Sequence, residues 1–285
     1  MLSVGILNDY IVPLIPKKIK LLTDNNIIVY VQSNTGLNAG YSDNEYIKSG
    51  GIICNTIDEV YNNAKIIVKT SNEFEYSLIT KDHIIFSLFN FTKNNFTCIP
   101  FSNILFPISE IIGEEAIIQG LKYTNLYLEK KYLKITIIGA GNVGRSAAYM
   151  AKHLGYDNIL LIDNNINTLL ELHKEGFKTL ISTKENLEKA LFESYIVIGS
   201  INNTYKLITN DMLELMPIDS IFIDVTIDQG GMTEQSYKTN LINYRHIKLY
   251  FIYNIPKHSI PRLSIQLSDI IYPYINLIAT NRELN

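Results

Sequence analysis

Tryptophan is absent from these 285 residues, cysteine occurs twice, and neither sign of charge dominates. Each shortage closes a class of function. Cys54 and Cys98 are too few for a disulfide framework or a cysteine metal site. The histidines, His83, His153, His173, His246 and His258, show no ligand spacing, so no metal is expected. Lys and Arg number 25 against 28 Asp and Glu, a formal net charge of −3, which gives no electrostatic reason to expect nucleic acid or an anionic membrane as partner. No apolar stretch reaches membrane-spanning length. The first nine residues lack the charged opening and cleavage site of a secretory signal, so a cytoplasmic protein is expected. Repeats, low-complexity tracts and Gly/Ser linkers are also missing.

What is present is a globular composition, 47% hydrophobic and 19% charged, on a chain long enough for two domains with a core each. Short apolar runs at Val4–Leu7, Ile27–Val31, Ile66–Lys69 and Ile84–Leu88 alternate with helical patterns over Pro16–Leu22 and around Thr56–Asn63. Pro107 then opens a long amphipathic pattern from Ile108 to about Lys131, with Ser109 and Glu110 expected in its first turn and lysines in its last. Further strands are expected at 134–138, 158–162, 195–199 and 220–225, spaced widely enough for crossover helices, and a last helix over about 261–280. The fold class expected is α/β with two domains, a Rossmann-type doubly wound parallel sheet and a second α/β domain, joined by long helices. The bounds expected are 1–107 with 261–285 for a substrate domain, 108–131 for a bridging helix and 132–260 for a dinucleotide domain.

The string Gly139-Ala-Gly141-Asn142-Val143-Gly144 follows the apolar run ending at Ile138 and precedes a helical stretch over 145–153. A second strand after it ends in Asp163. Alone, the glycine spacing is weak, but strand, turn, helix and terminal acid stand in the order a dinucleotide site requires. Gly139 permits the tight turn, Gly141 lets backbone approach a pyrophosphate, and Gly144 lets the helix pack on the sheet. Asp163 is placed to accept the adenosine ribose hydroxyls, and Asn164 to Asn167 after it include no Arg or Lys for a 2′-phosphate. NAD is therefore the expected cofactor, rather than NADP.

Downstream, Ile223-Asp-Val-Thr-Ile-Asp228-Gln-Gly-Gly231 runs a strand into a glycine loop at the sheet's carboxyl edge, and Tyr253-Asn254-Ile-Pro256 follows. With Val12–Pro16, Pro107–Gly113, the glycine turn and Val197-Ile-Gly199, these pieces lie in order over nearly the whole chain. In them the sequence resembles the alanine dehydrogenase and pyridine nucleotide transhydrogenase family. The resemblance implies a substrate domain and an NAD domain with a cleft between them, and reversible oxidative deamination of an amino acid. It implies Asp228 beside the reacting carbon and the nicotinamide, Asn254 at the substrate, and Ser109 and Gly199, with the adjoining Ser200, at the cofactor.

Other family groups are replaced. Ile11 stands where the resemblance implies a substrate-clamping arginine, Ser71 where it implies a lysine, and Asn90 where it implies the acid/base histidine. An amide does not exchange protons near neutral pH and Ile11 cannot pair with a carboxylate. Lys69, Asn90 and Tyr10 then become the candidate orienting groups around Asp228, with Tyr10, Ser71 and Asn254 toward substrate. The expected function is an NAD-dependent oxidoreductase acting on an amino acid, imine or 2-oxo acid, with altered substrate. The alternative is a catalytically silent dinucleotide-binding homologue acting as sensor or partner subunit. A small-molecule substrate and a homo-oligomer, a dimer, are expected.

Overall fold

The computed structural model describes residues 3–71, 73, 75–88, 96–101, 106–124, 129–201, 205–236, 241–252 and 257–280, the side chains of Phe106 and Asp228 excepted. The chain divides into two compact units, Met1–Pro107 with Pro256–Asn285, and Ile108–Ile255.

The first unit runs β1 (Val4–Ile6), α1 (Pro16–Asp24), β2 (Val29–Gln32), α2 (Asp43–Lys48), β3 (Ile52–Cys54), α3 (Ile57–Asn63), β4 (Ile66–Lys69), β5 (Ile84–Ser87) and β6 (Thr97–Pro100). Its strands are all parallel, in the order β3-β2-β1-β4-β5-β6. The helix starts are written in side chains. Pro16 opens α1, Ser42 and Glu45 form a reciprocal capping box on α2, and Thr56 caps α3 through the Glu59 N–H. A Cβ at Gly5 would lie 2.7 Å from Val60 and 2.8 Å from Ala64, so a glycine is what lets α3 ride close on β1.

The second unit takes up α4 (Phe106–Tyr123), then β7 (Ile135–Ile138), α5 (Asn142–His153), β8 (Ile159–Asp163), α6 (Ile166–Lys174), β9 (Lys178–Ile181), α7 (Lys184–Glu193), β10 (Ile196–Gly199), α8 (Asn210–Glu214), β11 (Ile221–Asp224), β12 (Leu241–Tyr244) and β13 (Ile247–Phe251). The sheet order is β12-β13-β11-β10-β7-β8-β9, parallel except for the β12–β13 hairpin at one edge. β7, β10 and β11 are buried at every position, as the interior of a doubly wound sheet requires of apolar runs. Ile135 and Ile137 join a core with Ala147, Ala148 and Ala151 of α5, while Ile138, Val197 and Phe222 join one with Leu187 and Leu191 of α7 and Met212 of α8. α9 (Ile260–Thr280) returns to the first unit, where its buried Ser268 accepts the Ile15 N–H at 2.9 Å and donates to the Pro13 carbonyl at 3.1 Å.

The α/β class and the doubly wound sheet are as expected, and the expected strands lie within one or two residues of their bounds. One helix is corrected. α4 begins at Phe106 and ends at Tyr123, not near Lys131, because the Thr124 hydroxyl turns back onto the Gly120 and Leu121 carbonyls and competes with helix continuation. The early start also leaves its first turn without an acid, so Glu110 is not a dipole partner there. Among the described residues no helix is long and apolar enough to cross a membrane.

Candidate nucleotide site

In the second unit β7 stands at the point where strand order reverses, with β8 and β9 on one side and β10 and β11 on the other. Ligands in open α/β sheets bind outside the carboxyl ends of the strands at this place. The glycine string occupies it. Gly139 has φ +103, and a Cβ there would fall 2.7 Å from the Ser200 carbonyl oxygen, so both the turn and the neighbouring strand end require glycine. At Gly144 the limit is tighter, since a Cβ would lie 1.9 Å from the Gly139 carbonyl oxygen. Gly141 is different: it is exposed, has φ −72, and a Cβ would meet nothing within 4 Å. The protein's own packing does not explain glycine at that position, whereas a pyrophosphate against the backbone does.

Gly141 is also the N-cap of α5, and no side chain caps that helix. The helix's partial positive charge therefore meets the exposed Gly141 and Asn142, the arrangement an anion uses, while Val143 is half-exposed and Gly144 buried. Asp163, half-buried at the end of β8, accepts the Ala140 N–H at 2.6 Å on one oxygen and the Asn165 N–H at 2.8 Å on the other. Each oxygen keeps a second lone pair for a ribose hydroxyl. From the first turn of α5, Arg145 reaches the Ala140 carbonyl at 3.3 Å and pairs with Glu171 at 2.7 Å. These residues fit NAD: they supply the close backbone approach, the helix N-terminus and the ribose carboxylate.

The other candidates divide between the units. Ser200 closes the glycine turn, its hydroxyl donating to the Gly139 carbonyl at 2.9 Å. Gly199 accommodates protein rather than open space, since a Cβ would meet the Met232 sulfur at 2.6 Å. Ser109 lies one turn ahead of Gly113, whose missing Cβ lets α4 cross α5 with the Val143 oxygen only 2.4 Å from the position a Cβ would take. Asp228 lies in a single 3-10 turn, Ile227–Gln229, beyond β11. Asn90 and Asn254 lie outside the described residues.

In the first unit the reversal falls between β1 and β4, and an acid from the chain itself fills it. Asp9 accepts the N–H groups of Thr70 at 2.6 Å and Ser71 at 3.1 Å. Lys69, 1% exposed, is held between Asp9 at 3.8 Å and Glu75 at 3.2 Å, and Tyr61 donates to Glu75 at 3.1 Å. Burial, with Glu75 second, pushes the Tyr61 phenol up. Ile11 is buried at 8% exposure, while Tyr10 is 41% exposed. Sequence reasoning missed Asp9 and Glu75, and also Asp224, which is wholly buried at the end of β11. An acid closing an otherwise apolar strand was the available signal for Asp224.

Residues 129–285 match the alanine dehydrogenase/PNT C-terminal domain, and residues 7–99 its N-terminal domain. The chain belongs to the alanine dehydrogenase/PNT family. It is 26% identical to alanine dehydrogenase of Mycolicibacterium smegmatis over 316 residues, covering 95% of this chain and 85% of that protein. In fold it is similar to a solved L-alanine dehydrogenase at a TM-score of 0.82 and 22% identity, over 99% of this chain and 91% of that one. A transhydrogenase from Sinorhizobium meliloti gives 0.83 and 17%, over 97% and 94%. Alanine dehydrogenases and the PNT proteins bind NAD(H).

Proposed function

We propose that this chain is an NAD-dependent oxidoreductase of the alanine dehydrogenase type whose substrate is an amino acid, an imine or a 2-oxo acid other than the alanine/pyruvate pair. The observation that carries the cofactor half is the open, exposed Gly141 at the uncapped start of α5, with Asp163 one strand away. In this reading the N–H groups of 142–144 hold the pyrophosphate, Asp163 takes the ribose hydroxyls, and Ser109, Gly199 and Ser200 border the cofactor. Bound there, NAD supplies a nicotinamide carbon that accepts or returns a hydride. Asp228 is assigned to the reacting centre and Asn254 to the substrate.

The changed substrate follows from charge. A carboxylate clamp needs a cation with charge to spare, yet Ile11 has none and the Lys69 ammonium faces two acids. Ser71 offers a hydroxyl in place of a lysine, and its N–H is already given to Asp9. Lys69 thus orients Asp9 and Glu75, and Asn90 and Tyr10 supply neutral hydrogen bonds where charge was lost. That same pairing of Lys69 favours a second reading, a dinucleotide-binding homologue without turnover.

Titrating NADH and NADPH by nicotinamide fluorescence, then screening amino acids, imines and 2-oxo acids at the nicotinamide absorbance band, separates the readings. NADH binding with turnover of a compound other than alanine supports the first. NADH binding with no turnover supports the second, and no dinucleotide binding removes both. Ile11→Arg, Ser71→Lys and Asn90→His together should bring alanine oxidation back if those losses alone changed the chemistry.

A further inference from the structure

Asp224 is the last residue of β11, has no solvent exposure, and uses both oxygens twice. Oδ1 accepts the Thr226 N–H at 2.9 Å and the Thr226 hydroxyl at 2.7 Å. Oδ2 accepts the Met232 N–H at 2.7 Å and the Ser236 hydroxyl at 2.7 Å. The donors lie 2, 8 and 12 residues downstream, so one carboxylate ties both ends of the turn between Thr226 and Met232 to the end of the sheet. Within the turn, the Gln229 and Gly231 N–H groups both donate to the Thr226 carbonyl at 2.9 Å. Gly231, at φ +76, is pressed so near that a Cβ would fall 2.4 Å from the Ser236 hydroxyl and 3.1 Å from Asp224 Oδ2. From outside, Lys206 donates to the Gly230 and Gly231 carbonyls.

The place of this turn gives it a role. A dinucleotide lies across the switch point of such a sheet, one mononucleotide half to each side. Asp163 marks the β8 side as the adenosine half, so the other half belongs to the ends of β10 and β11. Those two ends are stitched together by the Val225 N–H on the Gly199 carbonyl at 3.1 Å. We propose that Asp224 is the positioning residue of the nicotinamide half-site: it fixes the backbone of 226–232, and with it the location of Asp228, without itself touching cofactor or substrate. The inference rests on the dinucleotide-binding reading above and adds to it the group that sets the second half of the site.

Asparagine is the discriminating substitution. Each carboxylate oxygen faces one backbone N–H and one hydroxyl, so the NH2 group of asparagine leaves the Thr226 or the Met232 N–H facing another donor whichever way the amide turns, while a hydroxyl can rotate to accept. ADP-ribose, which lacks nicotinamide, and NADH are titrated against wild type, Asp224→Asn and the milder Ser236→Ala, with thermal melting as a check of folding. NADH affinity should fall about tenfold in Asp224→Asn and about threefold in Ser236→Ala, while ADP-ribose affinity stays within about twofold, since about 1.4 kcal/mol corresponds to tenfold. Hydrogen exchange over 225–236 should quicken in Asp224→Asn with β10 still protected. Unchanged NADH affinity in Asp224→Asn, or equal loss of both ligands, overturns the proposal. If that variant does not fold, the same two outcomes for Ser236→Ala decide. Wild type binding neither ligand is a different failure, because it removes the dinucleotide reading itself.

Discussion

The Asp163 carboxylate holds the Ala140 N–H at 2.6 Å, joining the end of β8 to the middle of the glycine turn. The residue proposed to select the ribose therefore also sets the turn proposed to receive the phosphates. A hydrogen bond to a charged partner contributes about 1.5–3 kcal/mol, so Asp163→Ala should weaken NADH binding by about tenfold or more and narrow the preference over NADPH. Paired fluorescence titrations measure both quantities. An unchanged NADH affinity would remove Asp163 from the ribose.

The packing glycines should respond through stability instead. Gly144→Ala places a methyl 1.9 Å from the Gly139 oxygen, and Gly113→Ala places one 2.4 Å from the Val143 oxygen. Both obstacles are backbone, which does not swing aside, and overpacking of this kind costs about 1–3 kcal/mol. A lowered urea midpoint is expected in each.

The sequence showed the glycine turn because each of its demands is local: a positive φ, a close strand, a helix start and an acid after the next strand. The α2 capping box, Ser42 with Glu45, was equally local and open to the same reading. Asp224 was hidden because its meaning depends on a fold that returns Met232 and Ser236 to the strand end. Lys69 was visible as a strand-end lysine, but its neutralisation depends on Asp9, 60 residues earlier, and on Glu75 across a loop. The β9 strand escaped notice because Lys178, Leu180 and Ile181 are exposed at the sheet edge and show no buried run. The overestimate of α4 came from an apolar pattern that carries on past Thr124, where side-chain bonds to the last carbonyls end the helix.

Lys69 should matter first to folding. Removing one member of a buried ionic group leaves the others uncompensated and costs about 3–5 kcal/mol. Lys69→Met strands Asp9 and Glu75, and adding Glu75→Gln should restore part of the loss. Urea unfolding of the single and double variants reads this. Full stability of Lys69→Met would mean that the acids do not depend on the ammonium.

Burial pushes the phenols of Tyr46 and Tyr61 well above their ordinary value. In the unfolded chain a tyrosine ionises near about pH 10. Above that pH the unfolded state sheds protons that the folded state keeps, so their contribution is complete below about pH 10 and declines as pH rises. Melting temperature should fall steeply on the alkaline side, and less steeply in Tyr46→Phe, as differential scanning calorimetry between about pH 8 and 12 would record.

Gly141 gives the sharpest separation of folding from binding. Its φ of −72 suits alanine, and the space where a Cβ would go is empty of protein. Gly141→Ala should therefore melt within a few degrees of wild type, the entropy removed from the unfolded chain being set against alanine's poorer fit at an N-cap. A methyl group in the path of the pyrophosphate should lower NADH affinity by about a hundredfold, twice the about 1.4 kcal/mol of a tenfold change. The decisive measurement is NADH titration of Gly141→Ala beside wild type, with both melting curves in hand. Intact folding with binding lost is the predicted result; intact folding with wild-type affinity would contradict the placement of a dinucleotide on this turn.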